Sequence, residues 1–134
     1  MGRILAFPER QSANTEVLNL TATEIAALTD GLQSGMFISQ STGANAAEYR
    51  LFKSQNDCGR IDGVIAFDVA KDKLKEGANV IARVQNGILY RQVAEAINNV
   101  AINDIADTET KTTYKTLLEK QGFVIVNHSF ADTI

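Results

Sequence analysis

The chain contains a single cysteine, Cys58, and a single histidine, His128, and this shortage limits how the fold can be held together. One thiol cannot form an intrachain disulfide, and one thiol with one imidazole cannot supply a tetrahedral zinc site. An apolar core must therefore hold the fold. With 134 residues, 45% of them hydrophobic, the chain is long enough to bury such a core. We expect one α+β domain over residues 1–134 and no structural metal.

The charge pattern argues against nucleic acid and membrane partners. The formal net charge is −3, and the 13 lysines and arginines are scattered rather than gathered into a basic stripe. No apolar run approaches the roughly 18 residues that a membrane-spanning helix needs. The apolar part of residues 1–8 is too short for a secretory signal. We therefore expect a protein of a reducing, cytoplasmic compartment.

The clearest local signal is a helix start at Thr21. Thr21 and Glu24 have the spacing of a capping box, in which each side chain bonds the other residue's backbone amide. Leu20 and Ile25 occupy the two positions of a hydrophobic staple around that box. Further apolar residues follow at helical spacing, so the pattern predicts a helix over residues 22–34.

Several short apolar segments predict strands. These are residues 16–20, 36–40, 48–54, 64–70, 79–85 and 123–126, the last expected to be central because it is apolar on both faces. Residues 44–54 also fit a helix. Asn86 and Gly87 are a strong hairpin signal, but the pattern after them favours a turn into a helix by about Tyr90, with a brief strand before it left open.

A last helix is predicted after Asp107 or Thr108, either of which can cap it, and Gly122 supplies its left-handed end. Its expected inner face consists of Tyr114, Leu117 and Leu118. Together these elements predict a mostly antiparallel sheet with about three helices packed on one face.

Candidate catalytic groups are few. Cys58 and His128 are the one conceivable thiol–imidazole pair, and no known signature surrounds either residue. The enzyme alternative is therefore a small cysteine-dependent hydrolase or transferase that uses these two residues. We assign no catalytic residue and consider a non-enzyme more plausible.

Metal, phosphate and base-stacking signals are weak. Asp57, Asp62 and Asp68 do not have the spacing of a calcium-binding loop, and the glycines form no phosphate-binding motif. The capping box accounts for Glu24. The nearest approach to a base-stacking platform is residues 49–53. We expect no metal and no cofactor.

The composition favours association over catalysis. Asparagine, glutamine, threonine and alanine recur throughout, and such residues form interfaces without burying charge. We expect a non-catalytic structural or assembly protein that forms homo-oligomers or binds other structural proteins, specifically a phage head, neck or tail component of the virion. Residues 1–14 and 127–134 are candidate arms, with interface residues Arg3, Ile4, Leu5, Phe7, Phe130 and Ile134. A module that binds a small ligand or peptide in a groove between sheet and helix is a further alternative.

Overall fold

The computed structural model describes residues 13–40, 48–52 and 60–127. The strands are β1 (Asn14–Leu20), β2 (Phe37–Gln40), β3 (Tyr49–Leu51), β4 (Gly63–Ile65), β5 (Gly77–Val84), β6 (Gly87–Tyr90), β7 (Ile105–Asp107), β8 (Thr112–Thr113) and β9 (Phe123–Val126). The helices are α1 (Ala22–Ala27), α2 (Arg91–Asn98) and α3 (Tyr114–Gln121), with a short 3₁₀ turn at Lys71–Lys73. None of the helices within these ranges is long and apolar enough to cross a membrane.

The first five strands form a closed barrel in the order β1–β3–β2–β4–β5, and β5 pairs again with β1. All pairs are antiparallel except β1 with β3. The protein thus has both helices and strands, as predicted, but the expected sheet with about three helices on one face is wrong. Barrel strands β2, β4 and β5 carry apolar residues on both faces, and closing the sheet on itself buries one face while α2 and α3 cover part of the other.

The apolar residues divide into two clusters on the two faces of the barrel wall. The inner core is formed by Leu18, Leu20, Leu32, Ile38, Tyr49, Ile65 and Ile81. The outer core is formed by Phe37, Phe52, Ile61, Val64, Ala66, Val84, Leu89, Ala94, Ile102, Leu117, Leu118 and Phe123. Neighbouring strands β2, β4 and β5 place Phe37, Val64 and Val84 side by side in the outer core, where helices α2 and α3 pack on them.

Helix α1 begins as predicted but ends seven residues early. The capping box is present, because the Glu24 amide donates to Thr21 Oγ1 at 3.1 Å and the Thr21 amide donates to Glu24 Oε1 at 2.7 Å. The predicted continuation to residue 34 is wrong. Leu32 leaves the helical path and forms a backbone bridge with Val69, which carries its side chain into the inner core. Burial of this leucine outweighs one more helical turn.

The segment after Asn86 resolves the conflict between hairpin and helix. Gly87 has a φ of +121° and begins β6, and α2 starts at Arg91. The predicted turn into a helix is confirmed, with the brief strand β6 before it. The hairpin alternative does not form, because β6 pairs in parallel with β9 and not with β5. The prediction that residues 123–126 form a central strand is also wrong. Among the described residues β9 pairs only with β6, and Val124 is 61% exposed.

The last helix starts later than predicted. Thr113, and not Asp107 or Thr108, caps α3 by accepting a hydrogen bond from the Thr116 amide. The reason is a small β7–β8 hairpin, in which Asp107 accepts a bond from the Glu109 amide. The predicted inner face is confirmed, since Leu117 and Leu118 are buried and Tyr114 packs on them in the outer core. Gly122 ends the helix with a φ of +103°, as predicted.

The remaining strand predictions are right in place and partly wrong in face. Strands lie within residues 16–20, 36–40 and 48–54, although β3 is short. In β5 the residues Asn79, Ile81 and Arg83 point inward. The alternate residues share the outer face, where Val84 is buried in the outer core and Val80 is exposed. Strand β4 ends at Ile65, so Phe67 lies outside it and is exposed.

Candidate functional site

The residues predicted from the sequence to carry function lie outside the described residues. These are the interface residues Arg3, Ile4, Leu5, Phe7, Phe130 and Ile134, and the candidate catalytic pair Cys58 and His128. Asn14, at the edge of the predicted N-terminal arm, already belongs to β1 and lies opposite Arg83. The arms and the thiol–imidazole pair therefore stay predictions.

Within the described part of the chain, a group of charged side chains is centred on Arg83, which lies opposite the start of β1. The Arg83 guanidinium donates to Glu16 Oε2 from Nη2 at 2.7 Å and from Nε at 3.1 Å. Its Nη1 donates to the Asp62 carbonyl oxygen at 2.9 Å, and its Cζ lies 4.8 Å from the centre of the Tyr49 ring. This buried arginine ties three barrel strands and the residue before β4 together, which is a structural role.

Tyr49 and Asp62 extend this network without adding a reactive group. Burial raises the pKa of the Tyr49 hydroxyl above its usual value of 10.0, and the nearby Arg83 charge opposes that shift. The Asp62 carboxylate accepts from the Gln40 amide at 2.6 Å and from Arg60 Nε at 2.7 Å. A phenol that stays protonated and a carboxylate engaged by two donors form no acid–base pair for catalysis.

The other polar candidates are separated from one another. Asp68 accepts from the Ser34 amide at 2.8 Å, away from Asp62, and Asp57 lies outside the described residues. Within the described ranges no three histidine, cysteine, aspartate or glutamate side chains are grouped as metal ligands. Tyr49 and Phe52 are buried in the inner and outer core respectively, so their rings form no exposed stacking surface.

An exposed apolar surface lies on the two-stranded β6–β9 sheet. Ile88 and Val124 are direct neighbours across the two strands, and they are 42% and 61% exposed. The residues that follow and precede them, Leu89 and Phe123, point the other way and are buried in the outer core. We call the surface formed by Ile88 and Val124 the β6–β9 face. The other exposed large apolar residues of the described ranges are Phe67, Val80 and Ile105.

Two cavities lie in the outer layer. An apolar one of about 130 Å³ lies between β2, β3 and the end of α2. A polar one of about 220 Å³, which we call the α2–α3 cavity, is lined by Arg91, Ile102, Asn103, Lys115, Ile125 and Asn127. The sequence patterns did not single out these residues, because four separate segments bring them together. Compared with protein-family models, curated proteins and solved structures, the chain has no match.

Proposed function

We propose that this protein is a non-catalytic structural subunit that self-associates through the β6–β9 face. The observation that carries the proposal is the pair Ile88 and Val124, two exposed β-branched side chains in direct contact positions on one small sheet. Exposed apolar groups on a surface are typical of sites where another macromolecule packs. Because Leu89 and Phe123 anchor the back of this sheet in the outer core, the face is held rigid and loses little entropy on binding.

Magnitudes predict weak, concentration-dependent association through this face and not a tight dimer. A two-fold contact between copies would bring together Ile88 and Val124 from each, four side chains in all. At about 1 kcal/mol for each half-exposed side chain, this contributes roughly 4 kcal/mol. Association itself costs at least about 4 kcal/mol in lost translational and rotational freedom. The β6–β9 contact therefore joins copies weakly, and association is expected to grow toward the high-concentration end of a dilution series.

The finer form of the proposal is a component of a phage virion, in its head, neck or tail. It rests on composition: asparagine, glutamine, threonine and alanine recur along the chain, and such side chains suit packed, uncharged contacts between subunits. Detection of this chain at fixed stoichiometry in purified phage particles tests it. Particles that lack the chain would contradict this finer form while leaving self-association in place.

Sedimentation velocity over a dilution series tests self-association. We expect the weight-average mass to rise above the 14.6 kDa of one chain as concentration increases. Val124→Lys should abolish that rise, because it places a charge at the centre of the apolar contact. The matched control is Val80→Lys, the same change at a side chain that is 71% exposed on β5, and it should leave association unchanged.

Circular dichroism of both variants confirms that they fold, which is expected since both side chains face solvent. A wild-type protein that stays at 14.6 kDa up to the highest concentration reached contradicts the proposal. Association that Val80→Lys removes and Val124→Lys leaves intact contradicts the assignment to the β6–β9 face.

A further inference from the structure

The α2–α3 cavity gathers polar side chains from four segments of the chain. Arg91 is the first residue of α2, Lys115 lies in the first turn of α3, and Asn127 directly follows β9. The Lys115 amide donates to the Ile102 carbonyl oxygen at 2.9 Å, which holds α3 against the loop after α2. The cavity is therefore built from elements fixed to one another and not from a single loop.

The position of the Arg91 guanidinium is set by two bonds. Its Nε donates to Asn127 Oδ1 at 2.9 Å, and its Nη1 donates to Glu95 Oε1 at 3.1 Å. These bonds use two of its five N–H groups. Glu95 lies outside the cavity lining, and its other oxygen accepts from the Ile102 amide at 2.7 Å. The guanidinium is thus preorganised at the cavity wall.

The charge at the cavity is positive. Glu95 offsets Arg91, whereas Lys115 has no ion-pair partner within the described parts of the chain. No acidic side chain among the described residues lines the cavity. Neither α2 nor α3 has an acidic residue in its first turn, so the positive ends of both helix dipoles add to the potential there.

We propose that the α2–α3 cavity is a binding site for a small oxyanion, a carboxylate or a phosphate group. Lys115 supplies the charge, Arg91 the oriented N–H donors, and the two carboxamides of Asn103 and Asn127 further polar contacts. Ile102 and Ile125 form an apolar wall that suits a short hydrocarbon body attached to the anion. A volume of about 220 Å³ lies below the roughly 300 Å³ at the lower end of sites for drug-sized ligands, so the ligand is small.

This inference does not depend on the proposed self-association. It is tested by titrating the full ¹⁵N-labelled chain with inorganic phosphate and, separately, with isovalerate, against sodium chloride at matched ionic strength. We expect saturable shifts of the Asn103 and Lys115 amide resonances with one or both anions. Binding of phosphate alone would identify a phosphate-bearing ligand, and binding of isovalerate alone a carboxylate. Isovaleramide, which has the same shape without the charge, should produce no shift.

Lys115→Gln should weaken anion binding by about tenfold or more, the effect of losing one charge-assisted hydrogen bond. Lys120→Gln makes the same charge change in the last turn of the same helix and should leave the affinity unchanged. Both lysines are exposed, so both variants should fold. The proposal is overturned if neither anion produces saturable shifts, or if the two variants lose affinity equally.

Discussion

Two polar side chains buried in the barrel wall, Asn79 and Ser39, are each bonded to the backbone. Asn79 donates to the carbonyl oxygens of Lys75 and Gly77 and accepts from the Lys75 amide at 3.0 Å, so one buried carboxamide fixes the turn before β5. Ser39, fully buried, donates to the Arg60 carbonyl oxygen at 2.9 Å. A buried polar atom left without a partner would cost about 1–3 kcal/mol, and these bonds remove that cost.

Two glycines adopt positive φ angles that other residues rarely adopt, and they differ in the space around them. Gly31 has a φ of +73°, and a Cβ atom there would lie 2.3 Å from the Val69 carbonyl oxygen. Gly77 has a φ of +98°, but a Cβ atom there would meet no atom within 4 Å. Gly77→Ala therefore carries only the backbone strain, about 1–2 kcal/mol. Gly31→Ala must in addition displace the Val69 backbone.

We expect Gly31→Ala to lower the free energy of unfolding by about 3 kcal/mol or more, which is clearly more than the loss in Gly77→Ala. Urea titrations of the two variants beside the wild type measure both values. Equal losses would mean that the close approach of residues 31 and 69 does not constrain the fold.

At the scale of elements, one side chain docks α2 on the barrel. Asn98 accepts from the Phe37 amide at 3.0 Å and donates to the carbonyl oxygens of Gly35 and Ala94 at 2.9 and 3.0 Å. The last turn of α2 is thereby bonded to the start of β2, sixty residues earlier in the chain. Apolar packing alone would leave these backbone groups without partners.

Asn98→Ala should lower the free energy of unfolding by about 2 kcal/mol or more, because it leaves the Phe37 amide and the Gly35 carbonyl without the hydrogen bonds that Asn98 makes. Gln92→Ala, on the exposed face of the same helix, is the control and should change stability by less than about 0.5 kcal/mol. Chemical denaturation of both proteins gives the comparison. A loss at residue 98 no greater than that at residue 92 would show that α2 is held by packing alone.

At the scale of the whole molecule, the two cores share one wall. Strands β2, β4 and β5 present residues to the inner core on one face and to the outer core on the other. Unfolding either side exposes the back of the same strands to water. The barrel and the α2–α3 layer should therefore unfold together as one cooperative unit.

Leu32→Ala in the inner core and Leu117→Ala in the outer core test this coupling. Both leucines are at most 1% exposed, so each substitution should cost about 2–5 kcal/mol. In each variant far-ultraviolet circular dichroism and tyrosine fluorescence should still report a single, coincident urea transition. Separate transitions in Leu117→Ala, with the barrel persisting after the outer layer melts, would contradict a shared wall.

The sequence located the elements that carry the two candidate functional features, but not the features themselves. An apolar run located β9 and helical spacing located the start of α2, but the exposure of Ile88 and Val124 depends on β9 pairing with a strand 36 residues earlier. The α2–α3 cavity likewise needs Arg91, Lys115 and Asn127 to converge from three segments. No spacing in the sequence signals either feature, because spacing reports only which residues share a face of one element.

The sequence alone determined those structural features that depend on residues close together in the chain. The Thr21 capping box and the left-handed end at Gly122 follow from contacts within a few residues, whose energy does not depend on the rest of the fold. Helical spacing likewise assigns the apolar residues of α3 to one face. Only the tertiary structure decided how α1 ends, that the sheet closes, and which face of β5 points inward. Those outcomes depend on burial against distant strands, and the burial of Leu32 and the bonds of Arg83 and Asn79 outweigh local preference.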